Sequence, residues 1–168
     1  VATENGCDVY LFKDARSTPE LSFAVRHLHA DAGAVLTASH NPPHDNGYKV
    51  YFDDGAQIVE PHASTIIKEV NAIEGDQYEP VPETEQGTIT EIGEEIDDAY
   101  MKTLESLLLD PELVARENSL KIVYTNLHGT GGKIVPTMLE RLKFQCLTVP
   151  EQDQPDGRFP TVKSPNPE

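Results

Sequence analysis

At 168 residues, with 38% hydrophobic and 7% aromatic side chains, the chain can build one ordinary domain or two small neighbouring units around a modest core. Its 29 acidic against 13 basic residues give a formal charge of −16, a field that repels nucleic acid and anionic lipid. Cys7 and Cys146 stand in no metal-like spacing, which argues against a disulfide framework or a zinc site, and no apolar run approaches the ~20 residues of a membrane span.

A soluble, globular protein of a reducing cytoplasm is therefore expected, its acidity serving solubility, with any anionic substrate in need of a local cluster of cations. The chain starts at Val1 and stops inside the loop-like stretch Lys163 to Glu168, so both ends read as cut from something longer.

Val9 to Phe12 is a short apolar strand candidate. Thr18-Pro19-Glu20 then reads as N-cap, first helical position and first-turn acid, and Leu21, Ala24, Val25 and Leu28 follow at helical spacing. Gly33 is expected to end that helix, and Ala34 to Thr37 to form a buried strand. A polar loop spans about Ala38 to Gly47. Tyr48 to Phe52 makes the next strand, Asp53-Asp54-Gly55 turns the chain, and Ile66, Ile67, Val70 and Ile73 mark an amphipathic helix beginning near Pro61.

The stretch from Gly75 to Thr90 carries Glu, Gln, Pro and Thr without periodicity and reads as a linker or surface excursion. Ile96, Tyr100, Leu104, Leu107 and Leu108 give a strong helical stripe. Glu94, Glu95, Asp97 and Asp98 suit the N-terminus of that helix as a solvated first turn rather than a metal cluster. Lys121 to Tyr124 is a strand, the Gly-rich loop Asn126 to Gly132 follows, and Val135, Met138, Leu139 and Leu142 mark the next helix, with Pro136 tolerable only in its first turn. Cys146 to Val149 is a strand again. Strand-helix-strand order on both sides of the linker predicts α/β layers.

The loop after the second strand carries the chemistry. Ser39 is exposed there among His40, Asn41 and other polar residues, beyond the strand end where α/β proteins place function, although such residues also simply make turns. An acyl-transfer elbow wants Gly two positions either side of the serine, where this chain has Thr37 and Asn41. His40 is adjacent in sequence, and in extended backbone it points away from Ser39. Phosphoryl transfer suits the set better, with a serine ester holding the group and a base taking the acceptor proton. Lys49 can serve as that base if burial or a neighbouring cation lowers its pKa; otherwise it is a surface lysine on an edge strand. The loop at His128 lacks Walker spacing, and Gly129, Gly131 and Gly132 read as a tight strand-to-helix turn. His27, His29, His44 and His62 show no ligand spacing and read as structural or exposed.

Thr37-Ala38-Ser39-His40-Asn41-Pro42 with Asn46-Gly47-Tyr48-Lys49 closely resembles the phosphoserine signature of the α-D-phosphohexomutase family, the phosphoglucomutases and phosphomannomutases. The resemblance extends over Arg16 to Ser22, Asn126 to Thr130, Phe159 to Thr161 and Pro165 to Glu168, and is nearest in flavour to bacterial α-phosphoglucomutases. It implies an internal fragment: residues 1–75 as the C-terminal part of domain I, 76–92 as a linker, and 93–168 as most of domain II.

The implied activity is that of an isomerase working as an intramolecular phosphotransferase. It interconverts glucose 1-phosphate and glucose 6-phosphate through phospho-Ser39 and a bound glucose 1,6-bisphosphate. Mannose or pentose phosphate specificity, or a noncatalytic phospho-binding module, are the alternatives. The resemblance further implies that Lys49 is a general acid/base, that His40 and Asn41 line the site, and that the Ser39 phosphate ligates Mg²⁺. The other metal ligands are expected beyond Glu168 in an Asp-Gly-Asp-x-Asp-Arg loop. The partners implied are a hexose monophosphate and the remaining domains of a parent chain, so the isolated fragment is expected to be inactive.

Overall fold

The computed structural model describes residues 1–75 and 79–166. Asp76, Gln77 and Tyr78, at the start of the expected linker, and Pro167 and Glu168, at the end of the last family-like stretch, lie outside the described residues. The fold is mixed α/β, as the element order predicts. The first unit holds strands β1 (Val9–Phe12), β2 (Ala32–Leu36) and β3 (Tyr48–Phe52) with helices α1 (Thr18–His27) and α2 (His62–Asn71). The remainder holds β4 (Ile89–Ile92), α3 (Glu94–Ser106), α4 (Pro111–Arg116), β5 (Lys121–Tyr124), α5 (Ile134–Arg141), β6 (Gln145–Thr148) and α6 (Pro150–Asp153).

Among the described residues the strands pair two by two. β1 runs parallel to β4 with Val9 opposite Ile89, and β5 runs parallel to β6 with Lys121 opposite Gln145. β2 and β3 are antiparallel, with Val35 opposite Lys49.

Helix α1 begins one residue earlier than its sequence cap suggests. Ser17, not Thr18, is the extended residue before it, and the Ser17 side chain caps nothing. Its end is not at Gly33. His29 takes the left-handed conformation (φ 53°), its N–H reaches the Arg26 carbonyl at 3.3 Å, and the Ala30 N–H reaches the Val25 carbonyl at 2.9 Å. That pair of bonds closes a helix whose stop residue is a histidine rather than the usual glycine. α5 ends the same way, with Lys143 left-handed and Phe144 N–H donating to the Leu139 carbonyl at 3.0 Å.

Gly33 instead sits inside β2, where a Cβ would lie 2.5 Å from Val25 Cγ2, so the absence of a side chain lets α1 press on the strand. The expected burial of Ala34 to Thr37 is not found either. β2 pairs on one edge only, and Leu36 is 71% exposed.

The excursion after α2 returns to the first unit. Its last residues form β4, tied in by Val9 N–H to the Thr88 carbonyl at 2.8 Å and Lys13 N–H to the Ile92 carbonyl at 3.1 Å. Ile92 then joins Ala24 and Ile96 in the central apolar cluster, with Phe12, Phe23 and Leu28 packed on it. The region expected to be a polar linker thus ends in core, because it supplies the parallel partner of β1. α3 keeps part of its predicted stripe: Ile96 is buried and Tyr100 sits against Phe23 at 5.3 Å between ring centroids. Leu107 and Leu108 instead fall past the helix end, Leu107 is 67% exposed, and Met101, outside the predicted stripe, is buried.

α4 has a cap legible in sequence: the Asp110 carboxylate accepts from Leu113 N–H at 2.8 Å and Pro111 opens the helix. Pro136 falls in the first turn of α5, where its missing N–H has no helical partner to lose. α2 forms as predicted, yet Ile67, Val70 and Ile73 on it or just past its end remain exposed.

Candidate active site at the serine loop

β2 and β3 are joined by a loop whose base is closed by Thr37 N–H donating to the Gly47 carbonyl at 2.9 Å. A Cβ on Gly47 would stand 2.4 Å from the Thr37 oxygen, so only glycine permits that closure. Inside the loop, Asn41 N–H bonds the Ala38 carbonyl at 3.1 Å, Asp45 N–H bonds the Pro42 carbonyl at 2.9 Å, and the Asn46 side chain accepts from Gly47 N–H at 2.8 Å.

Ser39, two residues past the base of the loop, is held with φ 59°, a left-handed conformation costing a non-glycine residue on the order of 1–2 kcal/mol. Its N–H is received by Thr37 Oγ1 at 3.0 Å, and the residue is exposed. Strain at an accessible hydroxyl beyond a strand end is a pattern of functional loops.

The left-handed turn also corrects an expectation. Ser39 Oγ lies 3.1 Å from His40 Nδ1, so the two neighbouring side chains meet rather than diverge. Opposite-face geometry belongs to extended backbone, and Ser39 is not extended. This contact alone does not make a hydrolase triad: His40 has no third group orienting it among the described residues, and the flanking glycines are missing. Lys49 enters from β3, two residues past the loop's closing glycine, half-buried and without an ion pair among the described residues. Asn41 is exposed on the loop. The structure therefore joins Ser39 and His40 directly, while Lys49 stands on β3 opposite Val35 without a hydrogen bond to either among the described residues.

Among the described residues no group of three or more His, Cys, Asp or Glu is placed to hold a metal ion. Of the expected Mg²⁺ ligands, this chain supplies only the Ser39 oxygen. The described residues do not by themselves fit an Mg²⁺ site.

The second loop, after β5, holds a residue that pattern reading passed over. His128 is buried and left-handed (φ 62°). Its Nδ1 lies 3.1 Å from the Gln154 carbonyl, so that nitrogen must carry a hydrogen, while Nε2 lies 2.9 Å from Thr161 Oγ1. Gln152 Nε2 donates to the same Thr161 oxygen at 3.1 Å, and Gln152 Oε1 accepts from Thr125 Oγ1 at 2.7 Å. One consistent direction of donation runs through the set, with the Thr161 hydroxyl donating to His128 Nε2. Tight packing also suits the loop's glycines: a Cβ on Gly131 would meet the Tyr124 hydroxyl. Of the remaining four histidines, His27 stacks on Phe23 and His62 meets Phe52 edge-on, while His29 and His44 are exposed.

A buried ionic cluster was not foreseen. Arg16 grips Asp97 with Nε at 2.6 Å and Nη2 at 3.0 Å, and Lys133 Nζ reaches the same carboxylate at 3.1 Å. Asp97 is thus 4% exposed rather than part of a solvated first turn, because it neutralises an arginine brought from 81 positions away. Glu20 lies alongside with no exposure at all, 3.7 Å from Arg16 Nε. Burial first, then hydrogen bonding and repulsion from Asp97, push its carboxyl up to about 8. For Asp97 burial acts upward too, but bonds from Arg16, Glu20 and Lys133 hold it below the usual range. No local sequence signal marks the cluster.

No described helix is long and apolar enough to cross a membrane. The layered α/β architecture with a serine presented beyond a strand end defines the class. Residues 1–77 match the family model for the phosphoglucomutase/phosphomannomutase α/β/α domain I, and residues 98–168 match that for α/β/α domain II. A phosphoglucomutase of Staphylococcus haemolyticus is 39% identical over 173 residues, covering 100% of this chain and 31% of that protein. The human phosphopentomutase is 40% identical over 171 residues, covering 97% of this chain and 27% of that protein. A crystal structure from Thermus thermophilus, of a protein assigned as a phosphomannomutase, superposes with TM-score 0.72 at 29% identity over 94% of this chain and 34% of that one. The chain belongs to the phosphoglucomutase/phosphomannomutase family. It spans less than a third of the length of these two curated relatives.

Proposed function

We propose that this chain carries the phosphoserine part of a phosphoglucomutase, with Ser39 holding the phosphate exchanged between glucose 1-phosphate and glucose 6-phosphate. The observation that carries the reading is Ser39 itself, exposed and strained into a left-handed turn in a loop closed by Gly47. In the forward step an acceptor hydroxyl of the hexose phosphate attacks phospho-Ser39. The new O–P bond forms as the Ser39 Oγ–P bond breaks, Lys49 takes the acceptor proton, and the departing Ser39 Oγ takes a proton from His40 Nδ1.

The product is glucose 1,6-bisphosphate. On return, Ser39 Oγ attacks its other phosphate, the serine proton passes to His40 Nδ1, 3.1 Å away, and the sugar oxygen that leaves takes its proton back from Lys49. Asn41, on the same loop, lines the substrate. Mg²⁺, when bound to the phosphoserine, would spread the phosphoryl charge, and the chain's own steps above do not run through it.

The chain spans 31% of the Staphylococcus haemolyticus relative, which supports a reading in which further domains recognise the sugar, and the 168 residues alone are expected to give no turnover. The similar identity to a phosphopentomutase keeps pentose phosphate as a second substrate reading. The test is isomerisation of glucose 1-phosphate, followed by ³¹P NMR, with the natively expressed protein and its Ser39→Ala variant. Glucose 6-phosphate formed by the former and not the latter is expected. Equal rates from both overturn the role of Ser39, and ribose 1-phosphate turning over in preference to glucose 1-phosphate would select the pentose reading.

A further inference from the structure

The cluster that joins α1 to α3 has a feature that ion pairing does not explain: one of its two carboxyl groups has no donor. Both oxygens of Glu20 are buried without a hydrogen bond from any described residue. Arg16 has its Nε and Nη2 groups on Asp97 and directs Nη1 at the carbonyls of Asp14 and Ala15. Lys133 also goes to Asp97, from a side chain that is 42% exposed. An ionised Glu20 would therefore be a second buried carboxylate beside the first, while Arg16 Nε and Nη2 and Lys133 Nζ are turned to Asp97.

We propose that Glu20 and Asp97 share one buried proton, and that losing this proton releases the clasp between α1 and α3. A proton on Glu20 supplies the missing donor, and its acceptor is Asp97, which the same Arg16 Nε holds at 2.6 Å while lying 3.7 Å from Glu20 Oε1. The groups facing Glu20 are Arg16 from the segment before α1, Asp97 and Tyr100 from α3, and Lys133 from the turn before α5.

The two cations favour ionisation. Desolvation of a carboxyl with no exposure opposes it, Asp97 repels a second negative charge, and these two effects win. The apolar neighbours Ala24, Ile92 and Ile96 keep water out of the same junction. Arg16 and Glu20 fall in the segment matching domain I and Lys133 in that matching domain II, so the proton sits where the two meet.

The sign follows from linkage. Glu20 is held above its unfolded value of 4.5, so its protonation favours the folded state most at acid pH, and this contribution is lost as pH rises to about 8. Within that window unfolding releases one proton, and the folding equilibrium constant drops about tenfold per pH unit on account of this group. Asp97 works in the opposite sense, with support that disappears only as pH falls through its lowered value.

The direct measurement is a ¹³C NMR titration of the Glu20 carboxyl in the 168-residue chain. A midpoint above about pH 7 is expected, and a midpoint at or below 4.5 overturns the proposal. Glu20→Gln, which keeps shape and a donor to Asp97, should remove one proton's worth of slope from urea stability between about pH 5 and pH 8. An unchanged slope would count against it. Asp97→Asn should move the Glu20 midpoint down, whereas an unmoved midpoint denies the sharing. Amide exchange in α1 and α3 should quicken above about pH 8 in the wild type relative to Glu20→Gln, and equal exchange would refute the release. If Asp97→Asn does not fold, the wild-type titration and the glutamine variant decide the matter.

Discussion

The loops after β2 and β5 both place non-glycine residues in the left-handed region: Ser39 in the first, Leu127 and His128 in the second. Their surroundings are opposite. His128 is buried, and both ring nitrogens are engaged in a network that ties Thr125, Gln152, Gln154 and Thr161 together. Ser39 stays accessible, its hydroxyl bonded only to the neighbouring imidazole. Backbone strain of the same kind is thus used once to seat a histidine in packing and once to hold a hydroxyl out to solvent. Strain marks a site only when the strained side chain is left available.

Breaking the comparison at Ser39 should have the largest effect. Ser39→Ala should cut mutase activity of the natively expressed protein by a factor on the order of 10⁴ or more, with urea stability changed by less than about 0.5 kcal/mol. A stability loss instead of an activity loss would make the two loops alike. His40→Ala should slow return of phosphate to Ser39 by about 10²-fold or more, seen in single-turnover kinetics, again with little change in stability.

At His128 the pattern should invert. His128→Ala removes a buried ring, and with it the ring's bonds to the Gln154 carbonyl and to Thr161, which keeps only its bond from Gln152 among the described residues. A loss of about 2–4 kcal/mol in urea unfolding is expected, with Ser39 still accepting phosphate wherever the variant is folded. Gly47→Ala is expected to cost about 1–3 kcal/mol through its clash with the Thr37 carbonyl. Hydrogen exchange should locate that damage in the loop and β3 rather than in the core.

Much of the fold could be read from local pattern. The period of Leu21, Ala24, Val25 and Leu28 marks α1, the stripe of Ile96, Tyr100 and Leu104 marks α3, and β1, β3 and β5 begin and end where their apolar runs do. What escaped depends on distant partners. Ile89 to Ile92 becomes a strand because β1 lies beside it, and nothing in Ile-Thr-Glu-Ile announces that. Asp97 looked like a solvated first-turn acid because its arginine is 81 positions away.

The site divides in the same way. Ser39, His40, Asn41 and Lys49 could be picked out from a contiguous motif. The contact between Ser39 and His40 could not, since it needs a backbone conformation that residue types alone do not fix. The burial of His128 was equally hidden, its partners lying 26 and 33 residues further on.

The central claim is that the accessible, strained hydroxyl of Ser39 carries the phosphate. It is tested most directly by treating the natively expressed protein with glucose 1,6-bisphosphate and mapping the modified residue by tandem mass spectrometry. One phosphate on Ser39, absent from Ser39→Ala, is the predicted result. No phosphate, or a phosphate on another residue while Ser39 stays bare, would contradict it.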